Sequence, residues 1–195
     1  MYLRKNNLYL IIFFIFLLHK SLAAKEAKIE TIKNYLGDLK LFSASFIQIN
    51  NGSLSEGKFF IGNERVRVEY INPSKILIIL DKDKAMYYNY DLDEDEFFNP
   101  KDTNAWFLYD MFNSLEFFND AELIKKENYL ILKKIGINQN IRFKIDVFFE
   151  NAPLVIRKIE FFFNDQYLSL SIFDHKYNET FNKKFFKLIN PSRLN

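Results

Sequence analysis

Apolar and polar residues alternate with a period of two through most of the chain after residue 41. The clearest run extends from residue 141 to 149, where apolar side chains alternate with Arg142, Lys144 and Asp146. Because successive side chains of a β-strand point to opposite faces, this pattern predicts strands with one apolar face. We predict about ten strands. The first begins at residue 41, and the others cover residues 53–61, 66–70, 75–80, 84–90, 129–133, 141–149, 154–164, 167–173 and 185–189.

Short turns join most of the predicted strands. Asn50-Asn51-Gly52 is a typical hairpin sequence, and further turns are expected at 81–83, 151–153 and 165–166. Short turns join antiparallel neighbours, so the predicted fold class is mainly β with helices (α+β): an antiparallel sheet, strongly curved or closed, with helices on one face. No repeat and no internal linker interrupts the pattern, which predicts one domain over residues 24–195.

A helical period precedes the strands. Between Glu26 and Leu36 the apolar residues Ile29 and Ile32 share a face with Leu36, and Gly37 is expected to cap the helix. This amphipathic helix could pack on its own sheet or lie on a membrane surface. The first alternative is favoured because membrane-surface helices usually carry a more basic polar face.

A second helix is expected in the middle of the chain. Residues 105–112 are almost entirely apolar, and Asp102-Thr103-Asn104 supplies side chains that commonly cap a helix N-terminus. A further short turn is expected near 114–118. These elements should interrupt the run of strands.

Residues 1–23 have the three parts of a secretory signal peptide. Arg4 and Lys5 are followed by the eleven apolar residues 8–18, and Ser21-Leu22-Ala23 supplies the small residues of a cleavage site. Eleven helical residues span roughly 17 Å of a hydrocarbon core of roughly 30 Å, so a cleaved signal is favoured over a membrane anchor. We predict a periplasmic protein that begins near Ala24, with 24 basic and 25 acidic residues.

The composition excludes several functions. The chain has no cysteine, which excludes disulfides, thiol catalysis and lipid attachment to this chain, and its small net charge argues against a nucleic-acid binder. Ser171, Asp174 and His175 are close in sequence, but no G-x-S-x-G motif surrounds the serine. The acidic residues of 91–96 lack the glycine and the spacing of a calcium loop, so a solvated loop is expected. We therefore predict neither catalysis nor a bound metal or cofactor.

Large aromatic residues are adjacent at several points of the predicted strands, at 59–60, 87–88, 148–149 and 161–163. Since neighbouring strand residues face opposite ways, both faces of the sheet must be apolar there. Two structures would explain this. Either other segments cover both faces, or one face encloses a lipid-sized cavity under the helix that contains Trp106 and Phe107.

The order of several segments resembles the periplasmic outer-membrane lipoprotein carrier (LolA) family. The segments are F-S-A-S-F-I-Q at 42–48, E-G-K-F-F at 56–60, R-V-E-Y-I-N-P at 67–73, Y-N-Y-D at 88–91 and F-K-L-I-N-P at 186–191. The likeness extends over essentially the whole mature chain. Its most specific part is the first segment followed, about twenty residues later, by E-Y-x-x-P.

The resemblance implies an unclosed β-barrel with an α-helical lid and a cavity for the acyl chains of lipoproteins. It implies a monomeric carrier without a cofactor, which takes acylated lipoproteins from an inner-membrane ABC transporter and delivers them to an outer-membrane acceptor. By position, Val66, Val68 and Tyr70 would face the cavity, and Trp106 and Phe107 would belong to the lid. A related half-barrel that binds other periplasmic lipids or senses envelope stress, and a purely structural envelope protein, remain alternatives.

The chain departs from this family before the third strand. Members usually have Arg-Pro-Gly there, and the arginine latches the lid by hydrogen bonds, whereas this chain has Gly62-Asn63-Glu64-Arg65. Arg65 could take over the latch. The family's aromatic pair in the same strand is replaced by Val66 and Val68.

Overall fold

The computed structural model describes residues 29–193, which contain one antiparallel sheet of eleven strands. The predicted strands between residues 41 and 173 are confirmed, as is an unclosed sheet. The strands are β1 (Phe42–Asn50), β2 (Ser53–Gly62), β3 (Arg65–Asn72), β4 (Ile76–Leu80), β5 (Ala85–Asn89), β6 (Glu94–Phe98), β7 (Glu122–Lys125), β8 (Tyr129–Asn138), β9 (Ile141–Asn151), β10 (Leu154–Phe163) and β11 (Gln166–Tyr177).

The topology explains why a helix covers the sheet. The spatial order is β6-β5-β4-β3-β2-β1-β11-β10-β9-β8-β7, so the two edge strands, β6 and β7, are consecutive in sequence. The segment that joins them must cross one face of the sheet. It contains 3₁₀ turns at Pro100–Asp102 and Leu115–Phe118 on either side of helix α2 (Trp106–Asn113), and the second of these turns is the one expected near 114–118.

Two strands were not predicted, and one predicted strand is wrong. β6 uses half of the acidic run that was expected to be a solvated loop, and it pairs with β5 at the edge of the sheet, where charged side chains remain hydrated. β7 has only four residues, too few for a recognisable period. The segment 185–189 forms no strand, because it lies across the outer face of β3 instead of pairing along an edge.

The first helix, α1, occupies 29–38 of the described residues. Ile32 and Leu36 are buried in the main core, which confirms that this helix packs on its own sheet. Gly37 does not cap it, since the helix continues through this position. A Cβ atom at Gly37 would stand 2.9 Å from Cδ2 of Leu115, so the glycine makes room for the turn that follows α2.

Both faces of the sheet are covered at β3–β5. The inner-face residues Val66 and Val68 belong to the main core with α1 and α2. On the outer face, Leu77 and Met86 belong to a second buried cluster. The C-terminal segment (residues 178–193) covers this cluster through Leu188. Adjacent aromatic residues are thus covered on both sides: Phe59 lines an inner cavity, while Phe60 contacts the rings of Phe181 and Phe185 on the outer face.

Arginine side chains fasten the C-terminal segment to β3. The Arg67 guanidinium donates to the carbonyl of Phe185 at 2.6 Å, lies 4.3 Å from the centre of the Phe185 ring and pairs with Glu69. Arg65 binds Asp81 and donates to the carbonyl of Phe186 at 3.0 Å. These bonds of Arg65 differ from the lid latch expected for it, because they join the end of β4 and the C-terminal segment rather than α2.

We expect Arg67→Ala to lower the free energy of unfolding by about 2 kcal/mol, since hydrogen bonds of a charged group usually contribute roughly 1.5–3 kcal/mol. Trypsin should also cut the segment 178–193 faster in this variant, and mass spectrometry of the fragments measures that rate. Arg142→Ala, at an exposed position of β9, is the matched control and should change neither quantity. Unchanged cleavage in a folded Arg67→Ala protein would show that the rings alone hold the segment.

The expected N-cap of α2 is wrong in detail. The N-cap residue is Ala105, which has no side chain to cap the helix. Asp102 belongs to the preceding 3₁₀ turn, and the Thr103 hydroxyl accepts from the backbone N–H of Ala105 at 3.2 Å. The helix therefore begins at Trp106, one residue later than the predicted start at Ala105.

The predicted signal peptide and its cleavage site lie outside the described residues. Within residues 29–193, no helix combines the length and the apolar character needed to cross a membrane.

Candidate functional site

A cavity of about 160 Å³ lies between the inner face of the sheet and α2. Its walls come from both halves of the sheet. The sheet contributes Phe46, Gln48, Phe59, Val66, Val68, Tyr70, Ile78, Leu80, Ile159, Leu168 and Leu170, and the segment between β6 and β7 contributes Asn104, Ala105, Phe107, Leu108 and Phe112.

Four of the five residues predicted for a lipid cavity line this one. Val66, Val68 and Tyr70 follow each other at alternate positions of β3, and Phe107 faces them from α2. The period of two was sufficient to place the three strand residues on one face.

Trp106, the fifth predicted residue, is not part of the cavity wall. Its indole ring packs edge-on against the rings of Phe143, Phe117 and Phe161, at centroid distances of 4.9, 5.8 and 6.4 Å. Consecutive helix residues point about 100° apart, so Phe107 meets the cavity while Trp106 meets β9 and β10. Trp106 belongs to the core between α2 and the sheet.

Residues of β1, β10 and β11 were missed by the sequence reasoning. Phe46 and Gln48 lie on β1, Ile159 on β10 and Leu170 on β11. Strand pairing places these residues side by side, because Gln48 pairs with Leu170, and Leu170 pairs with Ile159. The available signal was the F-S-A-S-F-I-Q segment, in which Phe46 and Gln48 alternate with outward-facing residues.

The cavity wall is apolar with a small polar region. The Tyr70 hydroxyl donates to Oε1 of Gln48 at 2.8 Å, and Asn104 donates from Nδ2 to Gln166 at 3.1 Å. Burial raises the pKa of Tyr70 to about 12, so its hydroxyl is neutral at physiological pH. Among the described residues, none that lines the cavity is charged.

The contacts that hold α2 on the sheet are largely between aromatic rings. Phe107 stacks on Phe161 at 4.2 Å, and Phe112 stacks on Phe59 at 5.7 Å. The buried Nε1 of Trp106 has no hydrogen-bond partner within residues 29–193, which typically costs roughly 1–3 kcal/mol. Apolar contacts of this kind are not directional.

The volume of the cavity limits what it can hold in this conformation. A dry protein cavity of about 150 Å³ takes a molecule the size of benzene, whereas pockets for larger ligands measure roughly 300–1,000 Å³. The cavity therefore fits a short stretch of one acyl chain, and a longer chain would need α2 to move away from the sheet.

The geometry separates the groups that could have formed a serine–histidine site. Ser171 is exposed on the outer face of β11, whereas His175 contacts the Phe42 ring on the inner face at 5.8 Å. Nε2 of His175 lies 2.7 Å from the carbonyl oxygen of Ile156, and burial lowers the pKa of this histidine. The imidazole therefore contacts a backbone carbonyl group, and it lies on the opposite face of the sheet from Ser171.

The acidic residues of 91–96 make structural contacts. Asp93 accepts from the Tyr88 hydroxyl at 2.7 Å, and Asp95 accepts from Asn190 of the C-terminal segment at 2.7 Å. No group of three or more His, Asp or Glu side chains in residues 29–193 is placed to hold a metal ion.

Comparison with known proteins identifies the fold. No protein-family model and no curated protein matches this sequence. An uncharacterized conserved protein from Thermus thermophilus superposes with a TM-score of 0.55 over 86% of this chain and 96% of its own, at 10% identity. At that identity the likeness shows a shared fold and no more.

Two further structures are more distant. MucB in complex with MucA(peri) has a TM-score of 0.46 at 9% identity and covers 83% of this chain. The Pseudomonas aeruginosa MucA/MucB complex has a TM-score of 0.48 at 8% identity and covers 82% of this chain. The chain spans 58% and 59% of those two chains. Overlaps of this quality support no statement about the function of this chain.

Proposed function

We propose that this chain is a periplasmic carrier that binds the acyl chains of lipoproteins in the cavity under α2 and carries them from the inner membrane to the outer membrane. The observation that carries the proposal is the uncharged cavity between the sheet and a helix held by aromatic contacts. Each buried CH₂ group contributes about 0.8 kcal/mol, so even part of an acyl chain gains several kcal/mol from such a wall.

The same features suit exchange as well as binding. α2 covers the cavity through Phe107 and Phe112, and an entering chain would replace the contacts of these rings with its own. A lid that is stable both closed and displaced lets the carrier load and unload. In this proposal the protein is a monomer that receives cargo from an inner-membrane lipoprotein-releasing ABC transporter and yields it to an outer-membrane acceptor.

The proposal includes no catalytic step. The geometry that supports this is the separation of Ser171 and His175 onto opposite faces of β11. His175→Asn and Ser171→Ala proteins should therefore carry cargo as well as the unaltered chain. A carrier defect in either variant with a native unfolding curve would contradict the proposal.

Purification of the full chain from the periplasm of a Gram-negative host tests the proposed cargo directly. Mass spectrometry should find co-purified lipoproteins that still have their acyl groups. A matched cargo whose acylated cysteine is replaced by serine should not co-purify. Free lipid without lipoprotein would favour a lipid-binding or stress-sensing half-barrel instead, and the absence of both would contradict the proposal.

A further inference from the structure

One polar pair in the cavity wall offers an unused hydrogen-bond donor. The Tyr70 hydroxyl donates to Oε1 of Gln48 at 2.8 Å, which fixes the orientation of the amide. A glutamine amide has two N–H donors besides its carbonyl oxygen, and within residues 29–193 Nε2 of Gln48 has no hydrogen-bond partner, which leaves it for a ligand. Both residues line the cavity, and both are half-buried.

The position of this pair suggests what that partner is. Gln48 lies two residues before the end of β1, and Tyr70 lies two residues before the end of β3, at the same end of the sheet. Val66 and Leu80 form the opposite, fully apolar end of the wall. A chain with its methyl end beside Leu80 would bring its polar end to Gln48.

The electrostatics of the cavity restrict the charge of that polar end. Among the described residues, no cationic side chain lines the wall, so a carboxylate there would lose its hydration without a counter-ion. An ester or amide carbonyl is neutral and needs only one donor, which Gln48 can supply.

We propose that Gln48 determines ligand specificity by donating a hydrogen bond from Nε2 to the carbonyl oxygen of an esterified or amidated acyl chain. The site accordingly binds neutral acyl derivatives and rejects ionised fatty acids. This inference rests on the proposed function, because it assigns the chemistry by which the same cavity recognises its cargo. This preference for neutral acyl derivatives distinguishes chains attached to a lipoprotein from free fatty acids in the same compartment.

The test uses three probes with short chains, methyl octanoate, octanoate and octane, each measured by displacement of a neutral hydrophobic dye at pH 8. Methyl octanoate should bind at least about tenfold more tightly than octanoate, since burial of the unpaired carboxylate is costly. Gln48→Leu should weaken the binding of methyl octanoate about three- to tenfold relative to the binding of octane, which is the usual contribution of one hydrogen bond.

A second variant keeps the test independent of folding losses. Gln48→Arg places a cation at the polar end and should increase octanoate affinity above that of the unaltered chain, a gain that misfolding cannot produce. The role of Gln48 would be overturned if the ester and octanoate bound equally well, or if Gln48→Leu bound the ester with unaltered affinity. In either case, binding of the dye would still support the proposed function. Failure to bind the dye and all three probes would overturn the proposed function as well.

Discussion

Ala105→Trp should abolish acyl-chain binding while the protein stays folded. Ala105 lines the cavity at the N-terminus of α2, so an indole ring at this position enters the space that we assign to the ligand. The cavity of about 160 Å³ has room for one ring and then little else. We expect the affinity for an acylated peptide to fall at least about a hundredfold, as a bound chain would lose several buried CH₂ groups.

The matched control is Ala152→Trp, the same substitution at an exposed turn between β9 and β10. It should leave the affinity for the acylated peptide unchanged. In urea unfolding, Ala105→Trp should lose no more than about 3 kcal/mol, the usual upper range for added volume in a core, and Ala152→Trp should stay within about 0.5 kcal/mol of the unaltered chain. Undiminished binding by Ala105→Trp would show that the acyl chain lies elsewhere.

Phe107→Ala should cause a large loss of stability that an acyl ligand restores in part. Phe107 is almost fully buried and stacks on Phe161 at 4.2 Å, so the substitution should cost about 3–5 kcal/mol of unfolding free energy. The truncation also enlarges the cavity. A ligand at a hundred times its Kd stabilises a folded protein by about 2.7 kcal/mol, and an acylated peptide should supply that gain.

Phe149→Ala is the control for this comparison, since Phe149 is fully buried but lies outside the cavity wall. It should lose a similar amount of stability. At one fixed peptide concentration, the acylated peptide should raise the melting temperature of Phe149→Ala less than that of Phe107→Ala, because only Phe107→Ala enlarges the cavity and so binds the chain more tightly. Equal restoration in both variants would mean that the ligand stabilises the fold without occupying the space beside Phe107.

Alternation along the chain predicted the strands well where one face is buried. β3 illustrates this, because Val66 and Val68 alternate with Arg67 and Glu69 and the structure places them on opposite faces. Alternation did not predict the two edge strands of the sheet, β6 and β7. The charged residues of β6 are typical of a loop, yet the strand forms because it pairs with β5 and faces water on its other side.

The candidate site was only partly predictable, because tertiary register assembles it. Val68 and Phe107 could be placed from their own segments, but nothing local indicates that Leu170 pairs with Gln48 or that Ile159 stands beside Leu170. The segment 185–189 was misjudged for a related reason. Its apolar residues cover a second hydrophobic cluster on the outer face, a role that a strand pattern cannot reveal.

Quenching of Trp106 fluorescence by a brominated acyl chain tests the central claim most directly. Trp106 is the only tryptophan, and it precedes the cavity-lining Phe107 on α2, so its emission reports on the packing of α2 against the sheet beside the cavity. A peptide with brominated acyl groups should quench and shift this emission, an unbrominated acylated peptide should shift it without quenching, and the bare peptide should do neither. Binding of the brominated peptide by calorimetry with unaltered Trp106 emission would contradict a ligand beneath α2.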